Sequence, residues 1–331
     1  LLVAVTGLGA LEPRQELWTI AALACLVAFF SATQDIALDA YRREILAEAE
    51  LGLGNSVHVN AYRVAGLIPG SLSLILADHL PWNSVYLITA LFMLPGFAMT
   101  LAVSEPIVAG GLPKSLRDAV VEPFREFIGR SGWRDAVVVL AFIFLYKLGD
   151  SMATALATPF YLDMGFTKSE IGLIAKHAGL WPSVGGALLG GLWMVKIGIN
   201  RALWLFGVVQ VISILGFALL THLPGNRIAL AAAISFEALG VGLGTAAFVA
   251  FIARATHPPY TATQFALFTS LAAVPRTVVN AATGIIVEYT GWFNFYLLCT
   301  VLAVPGMLLL LKVAPWNERQ TALHTAPGLK S

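Results

Sequence analysis

Apolar stretches separated by short polar connections run the length of the chain. Their repeat matches the roughly twenty residues that a helix needs to cross a bilayer. Runs of this kind occupy 17–43, 57–78, 82–103, 134–162, 168–197, 200–222, 226–254, 260–288 and 291–313, and residues 1–10 read as the outer half of one more helix. The pattern predicts an all-α polytopic membrane bundle. A single long polar connection interrupts it between Ser104 and Trp133, where Pro113, Leu116, Val120, Pro123 and Phe127 are spaced for a short amphipathic helix on the membrane surface. Four regions follow: 1–103, a partial N-terminal bundle from the end of a third helix to a sixth; 104–133, a linker; 134–313, a six-helix bundle; and 314–331, a tail. Six spans after the linker and an incomplete set before it, beginning at Leu1 inside an apolar run, predict a twelve-helix protein truncated at its N-terminus.

Charge orients these spans. If the linker is cytoplasmic, the inner connections and tail hold Arg42, Arg43, Lys114, Arg125, Lys196, Arg201, Arg254 and Arg319 among others, while the outer connections hold only Arg14, Lys168 and Arg227. That asymmetry follows the positive-inside bias and places both the linker and the C-terminus in the cytoplasm. Composition agrees with a membrane protein: 58% of residues are hydrophobic, 12% are charged and mean hydropathy is +0.80, against roughly 25% charged in ordinary soluble domains. A net charge of +1 excludes nucleic acid as an electrostatic partner. Cys25 and Cys299 both fall in apolar runs and are expected to be buried thiols. No cofactor is expected. The string Gly240-Val241-Gly242-Leu243-Gly244 has no preceding strand and so is no nucleotide loop, and His177 has no second metal ligand at helical spacing.

Ionisable residues inside the spans carry the functional signal. In the run Ser31-Ala32-Thr33-Gln34-Asp35-Ile36-Ala37-Leu38-Asp39-Ala40-Tyr41-Arg42-Arg43, two carboxylates four residues apart share one helical face. Each costs about 2.5–3.5 kcal/mol to insert, a penalty accepted mainly where ions or polar solutes pass. Lys147 and Asp150, Glu237, and Arg276 with Asn280 add further polar positions at spans otherwise rich in Leu, Val, Ala and Phe.

The strings SATQDIALDAYRREIL (31–46), FLYKLGDSMA (144–153), ATQFALF (262–268) and GWFNFYLL (291–298), in this order and spacing, resemble the AmpG muropeptide permease family. The turn from Gly190 to Arg201 likewise resembles a worn copy of the Gly-x-x-x-Asp-Arg-x-Gly-Arg-Arg turn of the wider major facilitator superfamily. The resemblance implies a major facilitator fold in the bacterial inner membrane. It also implies import of anhydromuropeptides, GlcNAc-anhydroMurNAc with or without peptide, for cell-wall recycling, as proton symport by alternating access. The implied partners are the muropeptide, protons and membrane lipids. Oligomeric state is left open. Relatives that carry acetyl-coenzyme A or siderophores keep another anionic solute open as an alternative, and a membrane-embedded enzyme on lipid-linked sugars is a second one.

Each candidate residue has two readings. Asp35 and Glu237 are the candidates for proton coupling, Asp35 otherwise pairing with Arg63 or Lys147. Gln34, matching the family's Gln-Asp pair, would hydrogen-bond sugar hydroxyls or amides. Lys147 would meet an anionic part of the solute with Asp150 holding it in place, or the two would only neutralise each other. Gln264, Arg276 and Asn280 would complete the substrate site, Arg276 otherwise bridging to Glu237 or Asp150. Asp39, Arg42, Arg43, Lys196 and Arg201 belong to gates or to topology.

Overall fold

The computed structural model describes residues 1–12, 14–105 and 115–317, and every regular element among them is helical. In the first part of the chain these are α1 (Leu2–Gly9), α2 (Leu17–Ile45), α3 (Leu51–Ala65), α4 (Ser73–Ala77), α5 (Trp82–Leu91) and α6 (Leu94–Ala102). The spans expected at 57–78 and 82–103 are thus each built from two helical pieces. Prolines explain both breaks: Pro69 sits in a single π-turn, Ile68–Leu72, between α3 and α4, and Pro95 opens α6. A proline has no N–H to continue the ladder and crowds the turn before it.

The linker helix is present as α7 (Leu116–Ser131), with Pro123 inside it. Pro123 cannot donate to the carbonyl of Ala119, and the Thr263 hydroxyl donates to that carbonyl instead, at 3.0 Å. The expected positions of Pro113 and Lys114 and of the tail cations Arg319 and Lys330 lie outside the described residues.

Beyond the linker come α8 (Trp133–Leu145), α9 (Leu148–Ala155), α10 (Ala157–Asp163), α11 (Lys168–Leu220), α12 (Arg227–Ala255), α13 (Thr261–Val278) and α14 (Thr283–Val313). The first three make one span broken at Lys147 (φ −101°, ψ 2°) and at Leu156 (φ −113°, ψ 28°). Pro159 has no N–H for Ala155, and the helix restarts at Ala157 with that proline in its first turn. Gly198 (φ 79°) inside α11 and Gly291 (φ 73°) inside α14 take the left-handed conformation that L side chains avoid. Each therefore separates two spans, as the runs ending near 197 and 288 require.

The described residues group into two compact units whose limits depart from the linear boundaries. One comprises Leu1–Ala47, His58–Phe124 and Thr256–Ala266; the other comprises Glu48–Val57, Arg125–Ala255 and Leu267–Ser331. In the first, α1 packs against α5 and α2, and Gly9 approaches so closely that a Cβ there would meet Tyr86 at 2.5 Å. Residues 256–266 join this unit through Thr263 and through Gln264, whose Nε2 donates to the carbonyl of Pro123 at 2.9 Å. Trp18 and Phe29 on α2 are exposed, as lipid-facing side chains are. Cys25 is exposed on the same helix, so only Cys299 is the buried thiol expected; the outer side of α2 has no protein packed on it among the described residues.

In the second unit α12 is buried on most of its surface and apolar on all sides, the mark of a helix at the centre of a bundle. It meets α11 through small residues: a Cβ on Gly242 would collide with backbone atoms of Ser183 and Ala187. One aromatic cluster joins Phe160, Phe217, Trp292 and Tyr296, with Phe160 and Tyr296 centroids 4.9 Å apart. Another joins Phe142, Tyr146, Phe248 and Phe251. Residues 48–57 belong here because the Ser56 hydroxyl donates to the carbonyl of Ala187. The α11 N-terminus carries a capping box between Thr167 and Glu170, with Arg227 paired to Glu170. We expect Thr167→Ala to destabilise this unit by about 1 kcal/mol, read as a lower thermal midpoint of the purified protein.

Candidate functional site

The break in the span that begins with α8 is where the polar groups of the second unit gather. Lys147 is the N-cap of α9 and Asp150 lies in that helix's first turn, where a negative charge is favoured by the helix dipole. The Nζ of Lys147 is 2.8 Å from Oδ2 of Asp150, with the two side chains 17% and 13% exposed, and 3.5 Å from the Thr245 hydroxyl on α12. A cation held by one carboxylate and one hydroxyl at a helix break is oriented yet exchangeable: an incoming anion can take the place of Asp150. Tyr146, one residue earlier, is fixed by donating to the carbonyl of Leu203 at 2.9 Å and by stacking on Phe248.

Glu237 is buried on α12 and lies within electrostatic reach of Tyr161 and Tyr296. The sequence singled out the carboxylate without these tyrosines.

In the first unit Gln34 and Asp35 are exposed on α2. Asp39 pairs with Arg42 at 2.7 Å, and the buried Arg42 guanidinium lies over the Phe265 ring at 5.6 Å, while Arg43 is half-buried. Asp39 and Arg42 thus form an ion pair within the last two turns of α2. The group that sequence reasoning missed is His58 of α3, which lies within electrostatic reach of both Asp35 and Arg42. Its only signal was a lone imidazole at the edge of an apolar run.

Gln264 hydrogen-bonds backbone groups at both ends of its amide. Its Oε1 accepts from the amide of His257 at 2.7 Å, its Nε2 donates to Pro123, and it is 1% exposed. Both ends of the amide fasten the chain around α7 and the start of α13. Gln264→Leu removes the acceptor from a buried N–H, so we expect a loss of about 1–3 kcal/mol, measured by thermal unfolding. Arg276 is exposed and makes no ion pair among the described residues, so the alternative bridges to Glu237 and Asp150 are not formed. Asn280, four residues on, is half-buried in the 3-10 turn Val279–Ala282, and its Oδ1 has no hydrogen-bond partner.

The turn after Gly198 is tied down by polar contacts. Asn200 donates to the carbonyl of Pro315 and accepts from Arg254, Arg201 donates to the carbonyl of Trp316, and Trp204 donates to that of Ala314. Lys196 is exposed. Arg254, expected only as a loop cation, supplies the charge that holds Asn200. Among the described residues no three His, Cys, Asp or Glu side chains converge as metal ligands do.

The sequence model of the Major Facilitator Superfamily matches residues 1–280. The chain belongs to that superfamily. Within it, the chain is 50% identical over 327 residues to an uncharacterized protein of Haemophilus influenzae, covering 96% of this chain and 77% of that one. It is 42% identical over 313 residues to the anhydromuropeptide permease of Escherichia coli K12, covering 94% of this chain and 63% of the permease. It is 30% identical over 307 residues to the putative transporter AmpG 4 of Rickettsia conorii, covering 91% and 73%. The chain therefore spans just under two thirds of the length of the permease and about three quarters of the other two. An all-helical member of this superfamily is the fold expected from the apolar runs.

Proposed function

We propose that the chain belongs to an importer of anhydromuropeptides in the bacterial inner membrane that works by alternating access, with its linker and C-terminus in the cytoplasm. The observation that carries the reading is the Lys147–Asp150 pair at the helix break, contacted by Thr245. A lysine so placed suits the carboxylates of a muramyl peptide, and discontinuous spans are where carriers of this kind place their solute groups. The similarity to the Escherichia coli anhydromuropeptide permease supports the same solute.

Protons are the proposed driving ion, with Asp35 and Glu237 as carriers and His58 as an acid–base partner for Asp35. In the second unit Asn280, with a free Oδ1, is a further proposed solute contact and Arg276 a second cation; in the first unit Gln34, exposed on α2, is a proposed solute contact of that unit, and Asp39, Arg42 and Arg43 are proposed to close the cytoplasmic end of α2. No covalent step is involved, so the solute arrives unchanged. The test is uptake of labelled anhydromuropeptide by vesicles containing the protein, with and without a protonophore. Accumulation of intact solute that the protonophore abolishes supports the reading; acetyl-coenzyme A or a siderophore accumulating in its place, or a chemically altered solute, refutes it.

A further inference from the structure

Behind Asp150, on the side of α11 and α14, lies a cavity of about 10 Å³ walled by Tyr146, Asp150, Gly207, Gln210, Ala303 and Met307. That is the scale at which a buried space takes one water, provided the site offers two to four polar partners. Gln210 is 5% exposed and its Nε2 has no hydrogen-bond partner, an arrangement that costs about 1–3 kcal/mol unless something accepts from it. The residue is held there by the glycines of α12. A Cβ on Gly244 would overlap the Gln210 amide, and one on Gly240 would press on its Cα at 3.4 Å.

The other two polar walls complement that donor. Tyr146 directs its proton to Leu203 and keeps acceptor capacity on its oxygen, and Asp150 has a second carboxylate oxygen besides the one held by Lys147. A water in this cavity would have Gln210 as its donor and Asp150 and Tyr146 as its acceptors.

We propose that this cavity is a hydration site through which Asp150 takes up and releases a proton. The inference rests on the reading of Lys147 as the solute's cation. When the Lys147 ammonium turns to an anionic group of the solute, Asp150 loses its counter-ion. Its carboxylate then gains one proton from a hydronium of the aqueous phase, relayed by the buried water, which is returned as water. One solute anion is thereby accompanied by one proton, and the reverse transfer restores the ion pair. The titratable groups around Asp150 are Lys147 and Tyr146 of its own span, Cys299 of α14, whose carbonyl lies against Gly149, and Glu237, two turns from Thr245 on α12. The α11 side contributes Gln210 and apolar residues.

The test needs no solute. In lipid-reconstituted protein carrying Lys147→Gln, which imitates the released lysine, pH-difference infrared spectra should contain a carboxyl band that disappears on adding Asp150→Asn. Exchange of that band in D2O should be fast, slowed at least about tenfold by Gln210→Met, equivalent to about 1.4 kcal/mol of barrier, and fast again in Gln210→Glu, which restores a polar wall. Absence of the Asp150 band, an unchanged rate in Gln210→Met, or slowing in both variants together with lowered thermal midpoints overturns the proposal. Because no solute is added, a wrong assignment of the solute would leave these outcomes untouched, and would appear separately as absent muropeptide uptake by the unmodified protein.

Discussion

Asp35→Asn is expected to abolish proton-driven accumulation while leaving solute exchange between equal compartments within about twofold of the parent, well under the 1.4 kcal/mol of a tenfold change. The substitution preserves size and hydrogen bonding and removes only the ability to ionise. If Asp35 carries one proton inward, losing it removes about 2.3 kcal/mol of driving force at 100 mV, a fall in the accumulation ratio of roughly fiftyfold. Asp35 is exposed on α2 and within electrostatic reach of His58, whereas Asp39, four residues away, is already paired to Arg42. The measurement is accumulation against counterflow in the same vesicles. Equal loss of both would make Asp35 a structural or solute-binding residue, and loss of neither would move the coupling role to Glu237 or Asp150.

The spans were legible because lipid imposes one length and one polarity on every helix, and nine apolar runs satisfied both. Their internal breaks were less so. Pro69, Pro95 and Pro159 announce discontinuities by chemistry, whereas the non-helical Lys147 has no proline beside it and is a product of packing. Charged candidate residues were visible as violations of apolar patterning, which is why Asp35, Lys147, Asp150 and Glu237 stood out. Neutral amides and aromatic hydroxyls violate that pattern weakly. The backbone bonds of Gln264, to His257 seven residues back and to Pro123 far along the chain, left no trace in the pattern, and Gln210 went unnoticed because its meaning lies in what surrounds it. Arg254 and His58 were hidden for the same reason: each acquires its role from a partner on another element, Asn200 for one and Asp35 for the other.

Breaking the Lys147–Asp150 pair from one side and from both separates its structural contribution from its role in binding. Lys147→Met leaves Asp150, 13% exposed, without its counter-ion and forces it either to stay charged or to take up a proton, and Asp150→Leu strands the ammonium; for a partly buried pair each loss costs up to about 3 kcal/mol. Both single variants should therefore unfold at clearly lower temperature. The double variant, Lys147→Met with Asp150→Leu, removes both desolvation penalties and keeps the volume filled, so its stability should return to within about 1 kcal/mol of the parent. Transport should not return with it, because the cation that meets the solute's carboxylate is still missing. A double variant that is stable and inactive assigns the pair to the solute path, while one that is stable and transports normally reduces it to a helix brace and sends the anion site to Arg276.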